Sequence, residues 1–394
     1  MQIEFLQIKN FRVFQDVLVE NIPKMAVFLG RNGSGKTTFF DVFGFLHDCL
    51  ASNVRSALAA RGGFEEVRSR EQKGDLEFAV KFRPSPEEPR ITYELTIGLN
   101  EKKMPIVKRE IMRFRRGQSG APWKILDFSN GEGIAAQGEL SSYDDVQKAS
   151  RKRQKVSEPD IMAIKGLGQF EDFPAIASLR RLIEDWYVSD FHIEDARNRQ
   201  VASYSESLSK SGDNLAQVAK YLYESHQERF NKILSTMRER VPGVTGVEAT
   251  VTEDGYVVLR FHDERFKNPF SSKFVSDGTI KMFTYLVLLS DPSPHVLLCV
   301  EEPENQLYPR LLAPLAEEFR NYSTAGGQVF ISTHSPDFLN AIYLDELFCL
   351  VKKDGYTTIV RAADSPLIKA LYGEGDLLGE LWNQDLLLSE AEKI

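Results

Sequence analysis

The run Gly30-Arg31-Asn32-Gly33-Ser34-Gly35-Lys36-Thr37-Thr38 fits the pattern GxxxxGK(S/T). Glycines let consecutive backbone N–H groups turn inward around phosphate oxygens, Lys36 adds a point charge for the β and γ phosphates, and the Thr37 hydroxyl suits a magnesium ion. By itself this motif does not separate kinase, GTPase and ATPase chemistry. A second group is acidic: the apolar run Leu297-Leu298-Cys299-Val300 ends in Glu301-Glu302-Pro303. Two carboxylates at one strand end suit a site where one acid reaches a divalent cation and its neighbour orients or activates water. Successive strand side chains point to opposite faces, so the two acids take different jobs only if the chain bends there, which Pro303 favours. Val275-Ser276-Asp277-Gly278-Thr279 opens a predicted helix. It reads either as a second Gly-containing anion site with a free serine hydroxyl or as a simple helix cap.

These groups need elements to hold them. Apolar and polar positions alternate at Ile3, Phe5, Leu6 and Ile8, the chain turns near Asn21 to Lys24, and Met25-Ala26-Val27-Phe28-Leu29 runs into the Gly-rich loop. Phe39 to Leu50 follows as a predicted helix, completing strand, loop, helix. Leu76 to Phe82, Ile91 to Ile97, Ile106 to Phe114 and Trp123 to Phe128 are rich in β-branched and aromatic residues and predict an antiparallel sheet lobe. Between Asn130 and Asp160 the chain is polar, and Lys148 to Lys155 holds five basic residues, which predicts a solvated loop or arm. Ile176 to Tyr187 and Leu215 to Val241 show helical spacing and predict a helical lobe, stopped by Pro242 and Gly243. Strands at Val247 to Val251, Val257 to Phe261, Val296 to Val300 and Gln328 to Ser332, with a helix from Thr279 to Leu289, make the last third α/β. The expected division is an N-terminal core part with the β lobe over 1–129, the basic arm and helical insertion over 130–243, and the C-terminal core part over 244–394.

With 42% apolar and 27% charged residues the chain is expected to pack as a globular protein, which sets disorder aside. A net charge of -8 excludes a surface uniformly built for phosphate backbones but leaves room for a local basic groove. The opening MQIEFLQIKNFRVF has no apolar core of a leader, and the aliphatic runs are too short to span a bilayer, so a cytoplasmic protein without membrane contact is expected. Cys49, Cys299 and Cys349 stand singly, without a CxxC pair, and are read as reduced and structural. The six histidines lack the spacing of a zinc site.

Four ordered segments then carry a resemblance. Ile8-Lys9-Asn10-Phe11-Arg12-Val13-Phe14, Val275 to Thr279, Glu301-Glu302-Pro303-Glu304-Asn305-Gln306-Leu307-Tyr308-Pro309 and Ser332-Thr333-His334-Ser335 resemble the opening strand, signature motif, Walker B with D-loop, and switch histidine of the RecF, SMC and OLD branch of ABC ATPases. The match is nearer still to their compact stand-alone relatives of prokaryotic repair and defence systems. The resemblance implies an α/β P-loop NTPase of ABC-head type: a two-part nucleotide-binding core with an antiparallel β lobe and an inserted helical lobe. It implies that residues 31–38 and Lys36 in particular hold ATP, that Thr37 and Glu301 hold Mg2+, that Glu302 polarises the attacking water, and that His334 senses the γ phosphate. Ser276 and Gly278 would close over the nucleotide of an opposite subunit, so that a homodimer or higher oligomer completes the sites. Gln169 is the candidate Q-loop glutamine. Glu301 departs from the Asp usual in other ABC proteins, and Gln306 and Tyr308 stand where relatives carry Gly and His.

By analogy, such an ATPase would switch DNA binding or remodelling, or control a partner effector such as a nuclease. About sixty residues follow His334, too few for the nuclease domain of an OLD protein, so a nuclease would be a separate chain. Lys148 to Lys155 with Arg180, Arg181, Arg197 and Arg199 could line a surface for double-stranded DNA, although no aromatic residues are interleaved in the arm to stack bases. Other readings are a slow scaffold or sensor holding a toxin-like partner, and a transporter ATPase subunit. Val-Ser-Asp-Gly-Thr argues against the latter, whose signature is normally Leu-Ser-Gly-Gly-Gln.

Overall fold

A computed structural model describes residues 2–84, 90–114, 122–138 and 151–394. The chain forms two compact units, one of Met1–Trp186, Asp345–Leu371 and Asp385–Ile394, the other of Tyr187–Leu344 and Tyr372–Gln384.

In the first unit, β1 (Gln2–Phe11) and β2 (Phe14–Glu20) form a hairpin, and β3 (Met25–Leu29) leads into the phosphate loop and the helix Lys36–Ala51. All five residues of β3 are buried, as a strand covered on both faces requires, each worth roughly 1.5–3 kcal/mol for the larger side chains. Phe28 packs on Phe39 of the helix at 4.3 Å between ring centroids, which fixes the strand to the helix on either side of the loop. β4 (Leu76–Arg83), β5 (Ile91–Leu99), β6 (Pro105–Phe114), β7 (Trp123–Ser129), β8 (Glu132–Ala136) and β9 (Arg151–Lys155) extend β1 and β2 into an antiparallel sheet in the order β2-β1-β4-β5-β6-β7-β8-β9. Alternating burial along β4 and β5 is the mark of a sheet with one face on the core.

The expected basic arm is corrected here: Arg151–Lys155 is a strand paired with β8, Ile134 opposite Arg153. A strand without apolar residues is possible because it lies at the end of the sheet, where backbone pairing suffices. Glu132 also lies 3.3 Å from Arg153 and 2.5 Å from Lys155. Lys148 to Ser150, the start of that predicted arm, lie outside the described residues.

The second unit begins within β10 (Trp186–Ser189), at Tyr187, and carries a small antiparallel sheet of β11 (Gln200–Val201), β12 (Val244–Val251), β13 (Tyr256–Asp263) and β14 (Phe270–Ser271). The helix expected over Leu215 to Val241 is two helices, Leu215–Ser225 and Gln227–Arg240. They part at His226, whose backbone leaves the helical region and whose ring nitrogen sits 2.8 Å from the Tyr221 hydroxyl. Helix Asp277–Leu289 is buried continuously from Thr279 to Leu288, the pattern of a helix enclosed on all sides. β15 (Leu297–Glu301) and β16 (Gln328–Thr333) pair in parallel, with Glu301 opposite Ser332, and helix Leu312–Thr324 makes the crossover. The chain then returns to the first unit with β17 (Leu347–Lys353), parallel to β3, and β18 (Tyr356–Arg361), antiparallel to β17. No helix among the described residues is long and apolar enough to cross a membrane.

Candidate functional site

The phosphate loop has the geometry its glycines predict. Gly33 and Gly35 hold φ of +78° and +102°, and a Cβ on Gly30 would stand 2.2 Å from the Ser34 hydroxyl oxygen. Each glycine is therefore required, two by conformation and one by space. Lys36 is buried, and its Nζ donates to the Gly30 carbonyl at 2.8 Å, which spans the loop from end to start. The loop is braced from β17 and β18: Thr357 Oγ1 donates to the Ser34 carbonyl at 2.7 Å and Lys352 Nζ to the Gly33 carbonyl at 3.3 Å. Arg31, Asn32, Gly33 and Thr37 are exposed, Ser34 is buried and Thr38 half-buried. Arg31 pairs with Asp385 at 2.6 Å. The helix behind the loop has no side-chain cap and no acidic residue in its first turn, leaving its positive end to an anion.

In the second unit, the two carboxylates at the end of β15 do part company. Glu301 is the last strand residue, and Glu302 adopts φ +40°, a left-handed conformation that bends the chain where Pro303 predicts it. Strain of this kind in a non-glycine residue, of order 1–3 kcal/mol, persists only when its surroundings enforce it. They do so here: the Glu302 N–H donates to Ser332 O at 3.0 Å, and Asn305 Nδ2 donates to Glu302 Oε2 at 3.1 Å. His334 Nδ1 lies 3.2 Å from Glu302 Oε1, at ion-pair distance but without hydrogen-bond alignment. The imidazole is 43% exposed, so a ligand can reach it.

Glu304, to which the sequence reading gave no role, organises this cluster. Its side chain is 8% exposed, and Oε1 accepts from Thr333 Oγ1 at 2.7 Å and from the His334 N–H at 2.9 Å. It also lies 3.5 Å from His334 Nδ1. Trp382 Nε1 donates to the His334 carbonyl at 3.0 Å, so the histidine backbone is held from both ends. The signal for Glu304 was the third acid of Glu-Glu-Pro-Glu, which reads as surface charge until Thr333 is known to face it.

Ser276 and Asp277 are exposed at the start of helix Asp277–Leu289. Ser276 is its N-cap: the hydroxyl accepts from the Thr279 N–H at 3.3 Å and lies 2.8 Å from Thr279 Oγ1. The serine expected to be free is thus already engaged, although one hydroxyl can cap a helix and still donate its proton elsewhere. A Cβ on Gly278 would be 3.2 Å from the Gln306 carbonyl oxygen, so this glycine permits close approach of the loop after Glu302. Arg197 fixes the turn from beneath, donating to the carbonyls of Ser272 and Lys273 and pairing with Asp277.

Gln169 is exposed on the turn after helix Ala163–Leu167, and no hydrogen bond joins it to the phosphate loop among the described residues. The four arginines assigned to a DNA surface are mostly committed elsewhere. Arg197 is largely buried under the Ser276 turn, Arg180 pairs with Glu184 at 2.8 Å, and Arg199 with Asp254 at 3.0 Å, while Arg181 is exposed. No group of three or more His, Cys, Asp or Glu among the described residues could hold a metal alone. Thr37 in the first unit and Glu301 in the second each carry an oxygen donor, the ligand type that a hard cation such as Mg2+ prefers.

Residues 25–340 match the family described as "AAA domain, putative AbiEii toxin, Type IV TA system". Among solved structures the chain is similar to an SMC head bound to the C-winged helix domain of ScpA, at 13% identity over 91% of this chain and 97% of that one, with a TM-score of 0.53. It is also similar to the SMC head domain from Thermotoga maritima, at 14% identity over 92% of this chain and 99% of that one, with a TM-score of 0.48. The first of these shows the fold, that of the ABC-type P-loop head. No curated protein matches the chain.

Proposed function

The chain belongs to this family of AAA domains, with the fold of an SMC-type ATPase head, and from that premise we propose that it binds ATP with Mg2+ and hydrolyses it to ADP and phosphate as a switch acting on a partner effector. The observation that carries hydrolysis is the pose of Glu302, forced out of the strand at φ +40° and held by Asn305 beside His334. A carboxylate so fixed orients a water for attack on the γ phosphorus, while the neighbouring imidazole meets the γ phosphate oxygens. In the phosphate loop, Lys36 leaves the Gly30 carbonyl for the β and γ phosphates, and the backbone of residues 31–35 cradles them. Thr37 and Glu301 would hold Mg2+, which would supply charge to neutralise the phosphates.

We further propose that Ser276 and Gly278 engage the nucleotide of a second copy, which makes turnover depend on dimerisation. Their place at a helix N-terminus, with Ser276 exposed and Gly278 half-buried, supports this. The toxin–antitoxin system in the family description favours a protein effector over double-stranded DNA as the immediate target, and the burial of Arg197 removes one arginine from the expected DNA surface.

The test is ATP turnover and particle mass, measured together for the wild type and Glu302→Gln, with and without duplex DNA. We expect turnover to fall by about 10²–10⁴-fold in the variant, with an ATP-bound dimer accumulating and duplex DNA leaving the wild-type rate unchanged. Unchanged turnover in Glu302→Gln would remove the catalytic assignment. Stimulation by DNA that fades with added salt would replace the effector reading with a DNA-acting one.

A further inference from the structure

Lys281 stands one turn into the helix that Ser276 caps, and it is 4% exposed. Its neighbours from Thr279 to Leu288 are all buried, a setting where leucine or methionine would pack without loss. Its ammonium is instead turned to the acid loop, donating to the backbone carbonyl of Asn305 at 2.6 Å. Burial pushes its pKa down to about 8, against the pull of Glu304 and Glu302.

Asn305 is the other half of the arrangement. Its carbonyl takes the Lys281 proton donor, and its side-chain amide holds Glu302 Oε2 at 3.1 Å. One residue therefore joins the helix behind the Ser276 turn to the carboxylate assigned to the water. The same loop touches that turn a second time where Gly278 approaches the Gln306 carbonyl.

Resting on the ATPase reading above, we propose that Lys281 is a positioning residue that couples the Ser276 turn to Glu302 through Asn305. Movement of the turn when it meets a γ phosphate shifts the helix, the Lys281 ammonium carries the Asn305 peptide with it, and the amide of Asn305 resets the Glu302 carboxylate. Hydrolysis is then timed by engagement at Ser276 as well as by ATP in the phosphate loop. Lys281 touches neither nucleotide nor water in this scheme.

The experiment is a cycle of Lys281→Met, Asn305→Ala and the double variant in the full chain, reading kcat, KM for ATP and thermal stability, with Lys281→Arg as the conservative replacement. Misplacing a catalytic group by about 1 Å costs on the order of 100-fold. Each single variant is expected to lower kcat by about 10- to 100-fold with KM within about threefold of wild type, because no phosphate-loop group depends on either residue. The double variant should fall no further than the worse single one, since both break one linkage, and Lys281→Arg should keep most of the turnover. Unchanged kcat in Lys281→Met overturns the proposal, as does a double variant whose losses multiply or whose KM rises with lost stability. If Lys281→Met fails to fold, Lys281→Gln, too short to reach the Asn305 carbonyl, is read in its place by the same criteria. A wild type that does not hydrolyse ATP would instead sink the ATPase reading, so the two failures are distinct.

Discussion

Glu110 lies at the centre of the β lobe with no solvent exposure, and its folded state should carry a pH signature that a neutral replacement abolishes. One carboxyl oxygen accepts from the Ala163 N–H at 2.5 Å, and the other from the Ile164 N–H at 3.0 Å and the Tyr93 hydroxyl at 3.1 Å. The side chain thus ties β6 and β5 to the start of the helix that precedes Gln169. Burial raises its pKa to about 7 from 4.5, and the two N–H donors and the tyrosine only partly oppose that rise. Between about pH 4.5 and 7 the folded chain keeps this proton while the unfolded chain has lost it. The folded state then binds more protons, so stability falls as pH rises through that window. A rise of about 2.5 units at about 1.36 kcal/mol per unit sets the full difference near 3 kcal/mol. Glu110→Gln keeps an oxygen for the N–H donors and cannot ionise. Hydrogen exchange of amides in β5 and β6, or urea unfolding followed by tryptophan fluorescence, should show the variant gaining on the wild type by up to about 3 kcal/mol between pH 5 and 8. A difference between the two proteins that stays flat with pH would refute the reasoning, because every other titrating group is common to both.

Two further outcomes follow from the phosphate loop and the thiols. Gly35→Ala places a Cβ at φ +102° and 2.8 Å from a Val13 methyl, so it should cost about 1–3 kcal/mol and weaken ATP binding at least tenfold by calorimetry; wild-type affinity in the variant would show that the loop does not hold the phosphates. Cys49, Cys299 and Cys349 are buried and free, and burial pushes their thiols upward, Cys349 to about 12. An aromatic disulfide reagent at pH 8 should therefore find no thiol in the native chain and three after unfolding, and a native signal would show that one of these sites opens.

The features legible in the sequence are those whose physics is local. The glycines of the phosphate loop announce their positive φ by identity and spacing, and Pro303 announces the bend that separates Glu301 from Glu302. Arg151–Lys155 was not legible as a strand, since an edge strand bathed on both faces needs no apolar alternation and is made by pairing with β8. The break at His226 was equally hidden, because the apolar spacing continues through it and the change of direction is set by packing on Tyr221. Arg197 looked like surface charge because its partners, Ser272, Lys273 and Asp277, lie 75 to 80 residues away. Lys281 did leave a trace: a lone lysine in the run Thr-Ile-Lys-Met-Phe-Thr-Tyr-Leu must either escape to water or find a partner inside. Only the fold says which.

The acid loop gathers features that stability alone does not ask for. Glu302 is held in a left-handed conformation, Glu304 Oε2 is buried without a hydrogen-bond partner, and Lys281 is desolvated beside them. Neutral residues would hold much of the same backbone: glutamine at 304 can accept from Thr333 and His334, and methionine at 281 can fill the helix core. Charge is what they would lack. Two carboxylates in one turn repel each other, and a cation drawn to both offsets that repulsion without standing where water and phosphate must meet. Lys281 approaches from the buried side and Asn305 meets Glu302 from its own loop, so His334 is left half in solvent for the ligand. Strain and desolvation concentrated in one loop, opposite an exposed imidazole, are the expected mark of a site in which geometry is maintained at the expense of stability.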